Sequence, residues 1–280
     1  MGVLRPIEVG AKQLLTDACW IGSRFIANWS DPRAVAFYDT ASAYGFEFDE
    51  LLRVIPTLRT IYVAVPKAAS TRIKMTLAAA VGCRSASLRQ VRRRRFRGPQ
   101  GPKSMTMSAF HKLATDPTTL RFSFVRNPYA RAVSCWADKF QGKPLVGGDD
   151  YVEGYLARRG EVDARLPAGT DATLSFADFV TYATGLASRR VDSHLQLQDD
   201  ILGTPGINFN MVGRVEAFRR DFRLVLDHIG AGEELRSEAD SEVNPSQHGP
   251  WMDYYTGELR ERIYRAYERD FDRFGYPRRL

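Results

Sequence analysis

Three observations on this sequence predict an α/β fold with a mainly parallel sheet covered by helices on both faces. A β-branched and aromatic run at 61–65 passes through a tight turn into a helical pattern at 70–81. A second strand at 121–125 runs into Asn127 and Pro128, and a helix reaches roughly residue 140. A third strand, at 207–216, precedes a helix on which Phe218, Phe222, Leu226 and Ile229 share a face. Strands that alternate with helices build parallel sheets, because a parallel pair needs a crossover connection between its members.

Each element has a local reason. On the helix at 70–81, Ile73, Leu77 and Val81 fall on one side. Asn127 and Pro128 suit the N-cap and first turn of the next helix. Helical patterns recur at 175–185 and 188–202, and Gly230 ends the helix that follows the third strand. The last helix starts near Thr256, turns Leu259, Ile263, Tyr267 and Phe274 inward, and stops at Gly275. Residues 1–57 mix short helical and turn signals, whereas 84–106 and 142–173 lose periodicity and read as loop insertions. We read 1–280 as one domain.

Composition narrows the function classes. The chain is 44% hydrophobic and 26% charged, an ordinary globular balance. No run approaches the ~20 apolar residues of a membrane span, and the first residues lack the pattern of a secretory signal. The expectation is a cytoplasmic protein with no membrane span. Cys19, Cys83 and Cys135 match neither a disulfide framework nor a zinc pattern, so no metal is expected and the thiols read as small buried groups. A net charge of +7 favours an anionic ligand or surface. Only seven of the 40 basic residues are lysines, which singles out Lys67.

Lys67 lies in the turn between the first strand and its helix, in VPKAASTRIK. The first N–H groups of a helix have no intrahelical partners and converge where the helix dipole adds positive charge. That arrangement binds phosphate, and Ser70, Thr71 and Lys67 add hydroxyls and a full charge. The GxxxxGK[ST] pattern is absent, which disfavours ATP with magnesium. The alternative is an exposed turn lysine with Ser70 as an N-cap. In RFSFVRNPYARAVSCWADKF, Arg126 closes the second strand at the edge where α/β sheets bind ligands, and Ser134 follows on the helix. Here the alternative is an Arg126 pair with Asp138. Two anion sites at neighbouring strand ends suit a ligand with phosphates in two places.

These motifs resemble the 5′-phosphosulfate loop and the 3′-phosphate motif of sulfotransferases that use 3′-phosphoadenosine 5′-phosphosulfate (PAPS). The similarity is closest to the Golgi-type carbohydrate branch, with its chondroitin and HNK-1 enzymes, and to bacterial relatives. DSHLQLQ, MVGRVEAFRRDF and YYTGELRERIYRAYERDFDRFGYP resemble later segments of that branch, so the likeness covers about 60–277. It implies a three-layer fold related to P-loop nucleotide kinases, and sulfuryl transfer from PAPS to an acceptor hydroxyl without a metal. The product would be 3′-phosphoadenosine 5′-phosphate. Carried over, Lys67 meets the sulfuryl or bridging oxygens, while the segment Ala68, Ala69, Ser70, Thr71 and Arg72 surrounds the 5′-phosphate. Arg126 and Ser134 hold the 3′-phosphate. The expected acceptor is a carbohydrate or glycosylated metabolite, with a small alcohol or phenol as the alternative. Missing anchor and disulfide signals point to a bacterial-type enzyme.

A base must take the acceptor proton. His111 and His194 are the candidates, with His248 less favoured, and His228 reads as a helix-end cation. The arginines at 92–95 and Arg97 read as a solvated loop, a rim that attracts an anionic acceptor, or a nucleic-acid contact. No nucleic-acid motif accompanies them, so no nucleic-acid partner is expected. A module that binds the nucleotide without transferring sulfate is a further alternative.

Overall fold

The computed structural model describes residues 51–83, 107–145, 150–158, 173–188, 192–203, 206–240 and 248–279, together with Pro32. In chain order the elements are β1 (Leu52–Ile55), β2 (Thr60–Val63), α1 (Ser70–Ala80), α2 (Met107–Thr115), β3 (Leu120–Val125) and α3 (Pro128–Lys139). Then come α4 (Asp150–Arg158), α5 (Phe176–Leu186), α6 (Gln198–Leu202), β4 (Met211–Arg214) and α7 (Phe218–His228). Helices α8 (Glu233–Asp240), α9 (Gly257–Ala266) and α10 (Glu268–Phe274) close the chain.

The strands form one sheet in the order β1-β2-β3-β4. β2, β3 and β4 are parallel, with Val63 opposite Ser123 and Val125 opposite Arg214. β1 pairs antiparallel with β2. Alternation along the strands splits the buried side chains into two clusters. Ile61, Val63 and Val125 join Tyr129 and Val133 of α3, Phe179 of α5 and Ile263 of α9. Tyr62, Ala64, Phe122 and Phe124 join Ile73 and Leu77 of α1 and Phe218 and Phe222 of α7. The predicted α/β class, with a mainly parallel sheet between helices, is what the protein adopts.

The second cluster contains a close approach that depends on glycine. A Cβ on Gly213 would lie 2.5 Å from the Phe124 ring. That ring is fully buried and packs on Phe218 and Phe222, with centroids at 5.2 and 5.9 Å. Gly213→Ala is therefore expected to cost about 1–3 kcal/mol through overpacking. A lower urea midpoint would show it; an unchanged midpoint would mean that Phe124 yields freely.

Several expectations need correction. The segment 1–57 contains β1, whose buried run Leu52–Ile55 pairs with β2. Within 142–173, α4 forms, and Pro144 bridges Thr173. Among the described residues of 188–202, the helix runs from Gln198 to Leu202. Before it, the Asp192 carbonyl accepts N–H bonds from Leu195 and Gln196, and its carboxylate takes the His194 N–H at 2.9 Å. A side chain that bonds its own nearby backbone competes with helix formation. The third strand shortens to Met211–Arg214, and the last helix breaks at Tyr267. Gly230 and Gly275 do adopt the left-handed conformation that ends a helix. The loop expected at 84–106, its arginine run 92–97, and Cys19 lie outside the described residues. Among the described residues, no helix is long and apolar enough to cross a membrane.

Candidate active site

The turn after β2 is unusual in its backbone. Lys67 and Ala69 both take positive φ, 67° and 58°, without being glycine. A left-handed residue costs an L-amino acid energy, and such residues concentrate at functional turns. Alternation of this kind can aim successive N–H groups at one spot. Ala69 is the N-cap of α1 and supplies no side-chain cap bond, so Ser70 is the first helical residue rather than the cap. The Ala68 N–H closes the turn onto the Val65 carbonyl. First-turn amides of α1 from Ser70 to Arg72 therefore face the mouth of the turn, as the helix geometry requires. The Arg72 guanidinium points elsewhere: its Nε donates to the Ala239 carbonyl at 2.6 Å, and it stacks over Phe218.

Two arginines hold this turn by its carbonyls. Arg126, at the carboxyl end of β3, donates through Nη1 to the Lys67 carbonyl at 3.2 Å. Arg131, buried on α3, donates to the carbonyls of Pro66 at 3.1 Å, Gln196 at 2.7 Å and Ser193 at 3.0 Å. The planar fork of one guanidinium thus fastens the Lys67 turn to the Asp192–His194 turn. Arg126 itself is fixed along its main chain. Gln198 accepts its N–H at 2.9 Å and donates to its carbonyl at 2.8 Å. Asp270 of α10 in turn accepts the N–H groups of Gln198 and Asp199. On the other side, Glu216 accepts the Asn127 N–H at 2.7 Å and the Tyr276 hydroxyl at 3.0 Å.

Charges converge at the mouth. Lys67 Nζ pairs with Asp138 Oδ2 at 3.2 Å, and Lys139 reaches the same oxygen at 3.4 Å. Asp138 is therefore the partner of Lys67, which removes the alternative in which it pairs with Arg126. Burial pushes the Lys67 ammonium below its usual range, and Asp138 opposes that fall. Burial likewise pulls the Arg126 guanidinium down against the charge of Glu216. An arginine remains charged at any working pH, so a desolvated cation stands at the end of β3. Ser134 is buried on α3, one turn before Asp138. The Cys135 thiol beside them is buried and pushed up to about 12, which leaves it an inert small group. Cys83 is only partly buried.

His194 belongs to the turn that Arg131 ties to the Lys67 turn through the Ser193 and Pro66 carbonyls. Its Nδ1 lies 3.1 Å from Asp192 Oδ1. A carboxylate there selects the Nδ1–H tautomer and leaves Nε2 as the basic nitrogen. Burial lowers the His194 pKa from its ordinary value, with Asp192 acting against it. The other histidines stand apart. His111 lies on α2, where its carbonyl accepts the Thr115 hydroxyl. Among the described residues, no bond or ion pair links it to the Lys67 cluster. His228 ends α7 with Nε2 at 3.1 Å from the Arg59 carbonyl, and His248 sits 2.7 Å from the Gly249 carbonyl. No group of three His, Cys, Asp or Glu side chains among the described residues could hold a metal ion.

Arg131, Asp138, Asp192, Gln198 and Glu216 are the residues that sequence reasoning missed as members of the site. Spacing signalled two of them: Asp138 lies one helical turn beyond Ser134, and Asp192 precedes His194 by the two residues of a side-chain turn. The other three act across the fold and leave no local pattern.

The Lys67 and Arg126 turns lie side by side at the carboxyl edge of the parallel β2-β3 pair, the edge where open α/β sheets take their ligands. A sequence model of the Sulfotransferase family matches residues 51–277, and the chain belongs to that family. The match begins at β1, earlier than the resemblance from about residue 60. Carbohydrate sulfotransferase 14 of Danio rerio is 24% identical over 164 residues, 56% of this chain and 44% of that protein. Carbohydrate sulfotransferase 11 of the same animal is 25% identical over 166 residues, 56% of this chain and 47% of that protein. The chain thus spans about half the length of the curated relatives it matches. Both relatives come from an animal and lend nothing to the expectation of a bacterial-type enzyme. No solved structure gives a significant match.

Proposed function

We propose that the protein transfers a sulfuryl group from PAPS to a hydroxyl of a carbohydrate acceptor. The observation that carries this reading is the fastening of the two anion turns, with the Arg126 guanidinium on the Lys67 carbonyl at 3.2 Å. One donor bearing charge at both its 3′ and 5′ positions suits both turns at once. Family membership supports the chemistry, and the names of the two Danio rerio relatives support the acceptor class.

The donor supplies the sulfuryl group and a nucleotide leaving group; the chain's residues supply charge and alignment. Amides of Ala69 to Thr71 with the Ser70 and Thr71 hydroxyls hold the 5′-phosphate, while Arg126 and Ser134 hold the 3′-phosphate. Lys67 neutralises the charge that grows on the leaving oxygen. His194 Nε2 accepts the proton of the acceptor hydroxyl, and Asp192 keeps Nδ1 protonated and stabilises the imidazolium that forms. His111, the other sequence candidate for the base, makes no such carboxylate contact among the described residues.

Calorimetric titration with 3′-phosphoadenosine 5′-phosphate, against AMP and ATP without added metal, tests the reading. Preference for the bisphosphate is expected, and equal affinity for AMP would refute it. The histidine carries its own prediction. Because burial depresses the His194 pKa, the active neutral form persists to lower pH than for a free imidazole. Asp192→Asn removes the opposing carboxylate, so the acid limb of turnover should move to still lower pH, while turnover falls because the tautomer is no longer enforced. An acid limb that stays in place would exclude His194 as the base.

A further inference from the structure

The mouth of the site contains a carboxylate that anion binding does not explain. Asp138 lies at 3.2 Å from Lys67 Nζ and 3.4 Å from Lys139 Nζ, beside a turn whose Lys67 carbonyl is held by the Arg126 guanidinium. A negative charge there repels the phosphates this site is read to hold. Its side chain is 34% exposed and that of Lys67 14%, so the pair sits at the boundary between solvent and interior. Helix α3 presents Ser134 and Asp138 one turn apart, which sets the carboxylate beside the hydroxyl assigned to the 3′-phosphate.

We propose that Asp138 is a positioning residue that holds the Lys67 ammonium until donor binds and then hands it over to the oxygen joining the 5′-phosphate to the sulfuryl group. The inference rests on the sulfotransferase reading above. Lys67 can give up Asp138 without orphaning it, because Lys139 Nζ remains at 3.4 Å from the same oxygen. The exchange of one anionic partner for another makes the lysine nearly neutral for ground-state affinity. Its charge is then available where negative charge grows, which is the condition for raising turnover rather than only tightening binding. Asp138 also keeps the lysine protonated. Burial works against the ammonium, as does the neighbouring charge of Lys139; the neutral Cys135 thiol on α3, His194 and Asp192 on the turn before α6, and Arg126 and Arg131 complete the titratable groups around it.

The test is a double-mutant cycle read by calorimetry of 3′-phosphoadenosine 5′-phosphate binding to the full chain, from about pH 7 to about pH 10. Asp138→Asn should tighten binding roughly threefold at the lower pH, because the nucleotide no longer competes with a carboxylate for Lys67. Affinity of that variant should then fall away at lower pH than in the wild type, since the lysine has lost its partner. Asp138→Glu keeps the charge and should keep the wild-type pH profile, which separates pairing from any effect on folding. In a Lys67→Ala background the gain from Asp138→Asn should disappear. An equal or larger gain in that background means simple repulsion and overturns the proposal, as does an unmoved pH profile. Wild-type protein that binds no bisphosphate would instead sink the sulfotransferase reading on which the proposal stands.

Discussion

Lys67→Ala is expected to lower turnover about 10²–10³-fold, the usual loss when one donor to a developing oxyanion is removed, with little change in affinity for 3′-phosphoadenosine 5′-phosphate. The substitution is structurally mild. Alanine has the same Cβ as lysine, so the left-handed backbone at φ 67° is no more strained than before. Asp138 keeps Lys139 as a partner, and the Lys67 carbonyl still accepts from Arg126. A fall in turnover is then attributable to the ammonium. Steady-state rates with labelled donor, beside calorimetry of the product nucleotide, separate the two effects. Equal losses in both would make Lys67 a binding residue and end its assignment to the leaving oxygen.

Arg126→Ala should weaken binding of the bisphosphate roughly 10–100-fold, the range for losing a charge-assisted hydrogen bond, and leave AMP nearly unaffected. Its main-chain bonds to Gln198 survive the change, so the end of β3 keeps its position. The guanidinium also grips the Lys67 carbonyl, and loosening of that turn would appear as an AMP loss as well. Arg126→Lys discriminates further, because a lysine keeps the charge but not the planar fork. Bisphosphate and AMP affinities that fall together would show that Arg126 supports the turn rather than reading the 3′-phosphate.

How much of this was legible beforehand follows from the range of each interaction. Strand-turn-helix units at β2-α1 and β3-α3 announce themselves through periodicity and the Asn127-Pro128 start, because those signals are local. β1 carried no comparable signal: its four buried residues are stabilised by pairing with β2 across the turn at 56–59. Within the helix expected over 188–202, residues 192–197 form a turn instead: the Asp192 carboxylate takes the His194 N–H, and its carbonyl takes those of Leu195 and Gln196. Asp138 was considered as a partner for Arg126, yet it belongs to Lys67, because the left-handed turn brings the lysine back over α3. His111 and His194 looked alike as bases in the sequence. Among the described residues, the fold gives His194 a carboxylate on Nδ1 and a turn tied to that of Lys67 through Arg131.

By itself the sequence determined the chemistry-bearing residue types and their order: a lysine and hydroxyls at one strand end, an arginine and a serine after the next, and a mainly parallel sheet between them. Those features depend on neighbours within a few positions, where propensity and hydrophobic period act. Tertiary structure alone decided the partners. The fork of Arg131 joins three carbonyls from two distant turns, and Gln198 pairs with the main chain of Arg126 from 72 residues away. Such contacts form where the sheet brings strand ends together, and no local pattern encodes which side chain will be waiting there.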